Sequence, residues 1–203
     1  MRWRCTIGVL VVIGCVLVGL NALLLLLGIV QVPTKQIVLG PRINWPQVSY
    51  SEVRGFFYNA DGIEGVPIIE DGELHKTVVN RDGVLLNASQ VERLLDAVAR
   101  PHSVDSRALC YWPRHAFVFF DEKHHPVAFV EICFSCTAER TSPTLQHRVG
   151  FDELRRLCKE LSLPLFEDGP GERQRYLDYA ARHAQKEPPQ EDSQPSTSTD
   201  GDR

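Results

Sequence analysis

The residues of this 203-residue chain best equipped for chemistry stand in two short segments, Cys110-Tyr-Trp-Pro-Arg-His115 and Cys133-Phe-Ser-Cys136. Three chemistries use thiols and an imidazole at such spacing. A structural disulfide, Cys110 to Cys136 or Cys110 to Cys133, would stabilise the fold by a few kcal/mol, though three cysteines leave one thiol over. A tetrahedral zinc set of Cys110, His115, Cys133 and Cys136 suits a Cys-x2-Cys knuckle at a strand end. With all four positions filled by protein that zinc would be structural, because catalysis needs one open. Thiol–disulfide exchange at Cys133 and Cys136 is the third. Redox motifs of that form gain a low thiol pKa from a helix N-terminus. Here the following residues, Thr137-Ala-Glu-Arg-Thr-Ser-Pro143, are too short and too β-branched for such a helix.

Each neighbour has an ordinary reading beside the chemical one. Arg114 is a candidate contact for an anionic ligand, but a lone exposed arginine usually only solvates a surface. His115 serves equally as a ligand, a general base or a hydrogen-bonded structural histidine. Cys158 reads as a buried, inert thiol on an apolar helix face, and Cys5 and Cys15 lie at or within the apolar N-terminus. Asn87-Ala-Ser89 has the form of a glycosylation sequon, and helix capping explains it fully. The chain shows no Ser-His-Asp spacing, no phosphate-cradling glycine loop and no close carboxylate pair. The reading leans away from an enzyme.

Positioning these residues falls to a hairpin. His115-Ala-Phe-Val-Phe-Phe120 and Val127-Ala-Phe-Val-Glu-Ile-Cys133 are apolar runs joined by Asp121-Glu-Lys-His-His-Pro126. If Phe120 pairs with Pro126, His115 faces Glu131 and Cys110 faces Cys136, which gathers the four groups at the open end. Upstream, Gly55–Tyr58, Val66–Ile69, His75–Val79 and Gly83–Leu86 are short apolar runs. Asp61-Gly62, Asp71-Gly72 and Asp82-Gly83 separate them as turn dipeptides. Ser89-x-x-Glu92 opens a helix with Val91, Leu94, Leu95 and Val98 on one face, ended by Pro101. A second helix starts near Gly150, with Asp152 and Glu153 in its first turn and Phe151, Leu154, Cys158 and Leu161 inward.

The N-terminus has a different character. From Ile7 to Val30 there is no charged residue, and 24 residues of helix span about 36 Å, enough for a ~30 Å hydrocarbon layer. The run is too long for a cleaved signal peptide and lacks a small-x-small site near its end. Arg2 and Arg4 precede it and Lys35 and Arg42 follow, a small bias toward an N-terminus in the cytoplasm. The rest of the protein then lies outside, where disulfides persist. The net charge is −4, and with Arg2 and Arg4 ahead of the run the remainder carries −6. That acidic balance argues against nucleic acid as a partner.

The motif pair resembles that of a family of uncharacterised bacterial envelope proteins, which share Cys-x-x-Pro-Arg-His followed some twenty residues on by Cys-Phe-x-Cys. The likeness covers residues 110–136 well and 75–160 loosely. It implies a bacterial envelope location and a cluster that matters to the domain, and it supplies no activity.

The expected architecture is α+β: one N-terminal transmembrane helix, then a small antiparallel sheet packed with two helices. Residues 1–30 form the anchor, 31–47 an extended linker rich in proline, and 48–167 the domain. Residues 168–203 form a weak helix and a disordered polar tail. The expected function is a single-pass inner-membrane protein with a periplasmic, non-catalytic domain. It would bind an envelope partner, with the cluster as disulfide or zinc. An anchored thiol–disulfide or metal-dependent protein working through Cys133 and Cys136 is the competing class.

Overall fold

The computed structural model describes residues 36–103, 109–166 and 171–184. The chain divides into Met1–Lys35, which lies outside the described residues, and a second compact unit, Gln36–Arg203. In that unit a five-stranded antiparallel sheet is built from β1 (Glu52–Phe57), β4 (Val84–Leu85), β5 (His115–Phe120), β6 (Pro126–Cys133) and β7 (Ala138–Ser142). The spatial order is β4-β1-β5-β6-β7. The short strands β2 (Ile69–Glu70) and β3 (Glu73–Leu74) pair with each other. Asp71 and Gly72 join them, both at positive φ as a tight hairpin turn requires. The helices are α1 (Ala88–Ala99), α2 (Phe151–Glu160) and α3 (Glu172–Ala184).

β5 is the centre, and all six of its residues are buried. Side chains alternate across a strand, so it feeds two cores. Phe117 and Phe119 pack with Val53, Phe57, Val130 and Ile132 under Leu94 and Val98 of α1 and Leu154 and Leu157 of α2. Ala116, Val118 and Phe120 face the other way, against Phe56 of β1 and Tyr58, Ile68 and Val78 from the long β1–β4 connection. One sheet face is therefore covered by helices and the other by residues 58–78.

α1 is capped by Asn87 rather than by Ser89. The Asn87 side chain accepts from the Gln90 N–H at 2.9 Å, and the Gln90 side chain accepts from the Asn87 N–H at 3.0 Å. That reciprocal box satisfies two backbone donors two residues earlier than the Ser-x-x-Glu pattern proposes. Arg93 ties α1 to α2 through Glu153 at 2.6 Å and Glu160 at 2.8 Å.

The expected architecture needs correction. Among the described residues three helices rather than two accompany the sheet, the third where a weak helix is expected, and none is long and apolar enough to cross a membrane. The run 7–30, to which the spanning helix is assigned, lies outside the described residues, as does the polar tail from 186 onward. The third helix is held by aromatic packing. Tyr176 is buried and stacks on Phe57 at 5.3 Å between ring centroids. From Gln36 onward the expected linker already belongs to the domain. Val38 bridges His102, the Ile43 N–H donates to the Ala99 carbonyl at 2.9 Å, and Trp45 is buried edge-on against Phe119.

Candidate functional site

The β5–β6 hairpin places the candidate residues, and one irregularity decides their arrangement. Phe120 pairs with Pro126 as the spacing predicts, but a bulge between Phe119 and Phe120 shifts the rest of the ladder by one residue. His115 therefore faces Ile132 instead of Glu131. A one-residue shift in register exchanges the faces of a strand. His115 consequently joins Ile132 on the helical side, while Glu131 and Cys133 lie on the other.

The four expected cluster residues are thereby divided. The three sulfurs gather around Ala138 and Tyr111. Cys133 ends β6, and the tight turn into β7 returns the chain so that the Cys133 and Cys136 Cα atoms are 5.3 Å apart, within disulfide range. These two are bonded to each other. This replaces the expected Cys110–Cys136 and Cys110–Cys133 bridges. Cys110 is the thiol left over, and its Sγ lies 3.5 Å from the Cys136 Sγ. Both bonded cysteines are 1% exposed, whereas Cys110 is half-buried.

His115 does not join the sulfurs. Its Nε2 is 2.7 Å from the Pro164 carbonyl, which can only accept, so Nε2 carries the proton and Nδ1 does not. Nδ1 has no hydrogen-bond partner among the described residues. The ring packs among Phe57, Phe134 and Tyr176. Burial lowers its pKa to about 4, so it is neutral at pH 7; the carbonyl of Pro164 opposes that shift, and Arg114 and Arg155 add to it. Among the described residues no group of three or more His, Cys, Asp or Glu side chains is placed to hold a metal ion. Of the expected zinc set of Cys110, His115, Cys133 and Cys136, two thiols are bonded to each other and the imidazole lies on the opposite face of the sheet from Cys133.

Arg114 is a clamp. Its guanidinium donates to the carbonyls of Asn59 at 3.2 Å and Ala60 at 2.5 Å, lies 3.8 Å from the Glu172 carboxylate, and sits 4.4 Å over the Tyr176 ring. It thus joins the turn after β1 to α3. Burial lowers its pKa, with Glu172 acting the other way.

Glu131 is a residue that spacing alone does not single out. It is completely buried, yet three donors converge on it: the Ile68 N–H at 2.6 Å, the Tyr111 hydroxyl at 3.1 Å and Arg140 Nε at 2.6 Å. Arg140 also lies over the Tyr111 ring at 5.5 Å. A buried carboxylate survives only when paired and hydrogen-bonded, and this one joins β6, β7, the 110–113 segment and the β1–β2 connection. Burial, and then the Glu131 charge, raise the Tyr111 pKa, so that hydroxyl remains a donor.

Beside the sulfurs a cleft of about 800 Å³ opens between Asp61, Ile63, Trp112, Ser135 and Arg173. Ile63 and Trp112 are large apolar side chains 54% and 42% exposed. Arg173 pairs with Asp61 across it at 3.3 Å. Trp112 and Ser135 come from the two cysteine segments, so the candidate motif also supplies cleft walls. Comparison of the chain with protein-family models, with curated proteins and with solved structures finds no match.

Proposed function

We propose that residues 36–184 form a non-catalytic binding domain that works outside the cytoplasm, held at a membrane by the apolar run 7–30. The observation that carries this reading is where the reactive groups end up. Cys133, Cys136 and His115 are each 1% exposed, and what faces solvent beside them is a cleft bearing Ile63 and Trp112. A buried bridge closing the β6–β7 turn and a neutral histidine on a backbone carbonyl are devices that hold a surface in shape. Exposed aromatic and aliphatic anchors rimmed by ion pairs are the composition of a binding surface. The disulfide supports an oxidising compartment, and the resemblance to bacterial envelope proteins supports the same location.

Photo-crosslinking on the full chain in its native membrane tests the reading. A photoreactive residue at Ile63, on the cleft rim, should give a discrete protein adduct that Trp112→Ala reduces about ten-fold, the usual scale for a central aromatic anchor. The same probe at Glu92 on α1 should give none. Equal products from both positions, or an Ile63 adduct indifferent to Trp112, would remove the cleft from consideration.

A further inference from the structure

The buried bridge has a thiol at its side, and the placement of all three sulfurs has a direction. Cys110 Sγ lies 3.5 Å from Cys136 Sγ, in van der Waals contact. The far sulfur, Cys133 Sγ, receives the Cys136 backbone N–H at 3.2 Å and has the Ser135 hydroxyl 3.5 Å away. Exchange by thiolate attack is faster when the departing sulfur is better stabilised as an anion, and two donors already stand on this one. Solvent reaches the half-buried Cys110 but scarcely reaches Cys133 or Cys136.

We propose that Cys110, Cys133 and Cys136 form a three-sulfur exchange relay, with Cys110 as the entering thiol, Cys136 as the central sulfur and Cys133 as the leaving one. In the internal step Cys110 loses its proton to solvent and its thiolate attacks Cys136 Sγ. The Cys110–Cys136 bond forms from the Cys110 electron pair while the Cys133–Cys136 bond breaks. Cys133 departs with that bonding pair as a thiolate, stabilised by the Cys136 N–H and the Ser135 hydroxyl, and then takes up a proton. One disulfide is exchanged for another, so no oxidant or reductant is consumed. A small external thiol can then attack Cys110, releasing Cys136 as a thiolate and leaving a mixed disulfide at Cys110. A second external thiol resolves that mixed disulfide. The external thiols are oxidised to their own disulfide, and Cys110 and Cys136 are reduced. The bridge is closed to direct attack from outside and open through Cys110. The relay stands independently of the cleft's binding role, because it needs only the sulfurs and their two donors.

The test follows reduction of the full-length protein in detergent micelles by glutathione. Samples are quenched in acid, alkylated with N-ethylmaleimide and mapped by peptide mass spectrometry. Cys110→Ser keeps the native bridge and should slow its reduction at least about ten-fold, since the only accessible entry is lost. Cys133→Ser should form the Cys110–Cys136 bridge nearly completely. Reduction of Cys110→Ser at the wild-type rate overturns the relay, as does a Cys133→Ser protein with Cys110 and Cys136 both alkylated. Should Cys133→Ser fail to fold, the Cys110→Ser rate decides alone.

Discussion

Glu131→Ala lowers the unfolding free energy by about 3–5 kcal/mol, the largest loss expected from any single polar substitution in the domain. The substitution strands the Ile68 N–H and the Tyr111 hydroxyl in a closed interior, each an uncompensated donor costing about 1–3 kcal/mol. It also leaves a void on the sheet face shared with Tyr58 and Ile68 and removes the carboxylate that Arg140 pairs with. Glu131→Gln retains an acceptor oxygen of nearly the same shape and should recover a good part of the loss. Urea denaturation of the three proteins measures this directly. Equal stabilities for wild type and Glu131→Ala would show that the four segments meeting at this carboxylate are held by something else.

The second large effect is acid sensitivity from His115. In the unfolded chain its imidazole titrates near 6.5, whereas burial lowers the folded value to about 4. Between those two values the unfolded chain binds a proton that the folded chain does not. Stability from this group is therefore complete above pH 6.5 and is lost as pH falls through the window, reaching about 3 kcal/mol near pH 4. Other groups titrate in the same range, so the comparison with His115→Asn isolates the effect. The amide can still donate to the Pro164 carbonyl and does not titrate. Its unfolding free energy should lack this portion of the decline between pH 7 and pH 4.5. Parallel curves for the two proteins would mean that His115 is protonated in the folded state and has another partner.

The convergence of the cysteine segments was legible in the sequence because hairpin geometry depends on little more than the turn, and Phe120 does face Pro126. The cluster's membership was not legible. It turns on one bulge, set by how Val127 and its neighbours settle against a two-sided core, and no local pattern of residue types specifies that. Its consequence is large, because a single-residue shift in β6 puts Glu131 and Cys133 on the sheet face opposite His115, which follows Phe117 and Phe119 to the helical side. β7 was hidden for a related reason. Ala138-Glu-Arg-Thr-Ser142 is mostly polar, and what makes it a strand is the exposed edge of β6 and the pairing of Arg140 with Glu131, both tertiary. Residues 36–47 look like a linker because proline is frequent there. They are drawn onto the domain by Trp45, whose indole N–H donates to the Pro143 carbonyl at 2.8 Å. The helix faces were plain, since Leu94, Leu95, Val98, Leu154 and Cys158 recur at helical spacing and all are buried.

The central claim is that the cysteine–histidine segments are closed into a buried disulfide with the imidazole facing away. Sulfur connectivity and metal content, measured together on full-length protein purified without reductant and trapped in acid, test it most directly. The account predicts a disulfide through Cys136, predominantly with Cys133, a reduced Cys158 and no bound zinc. One zinc per chain, with Cys110, Cys133 and Cys136 all becoming alkylatable when the metal is removed, would contradict it.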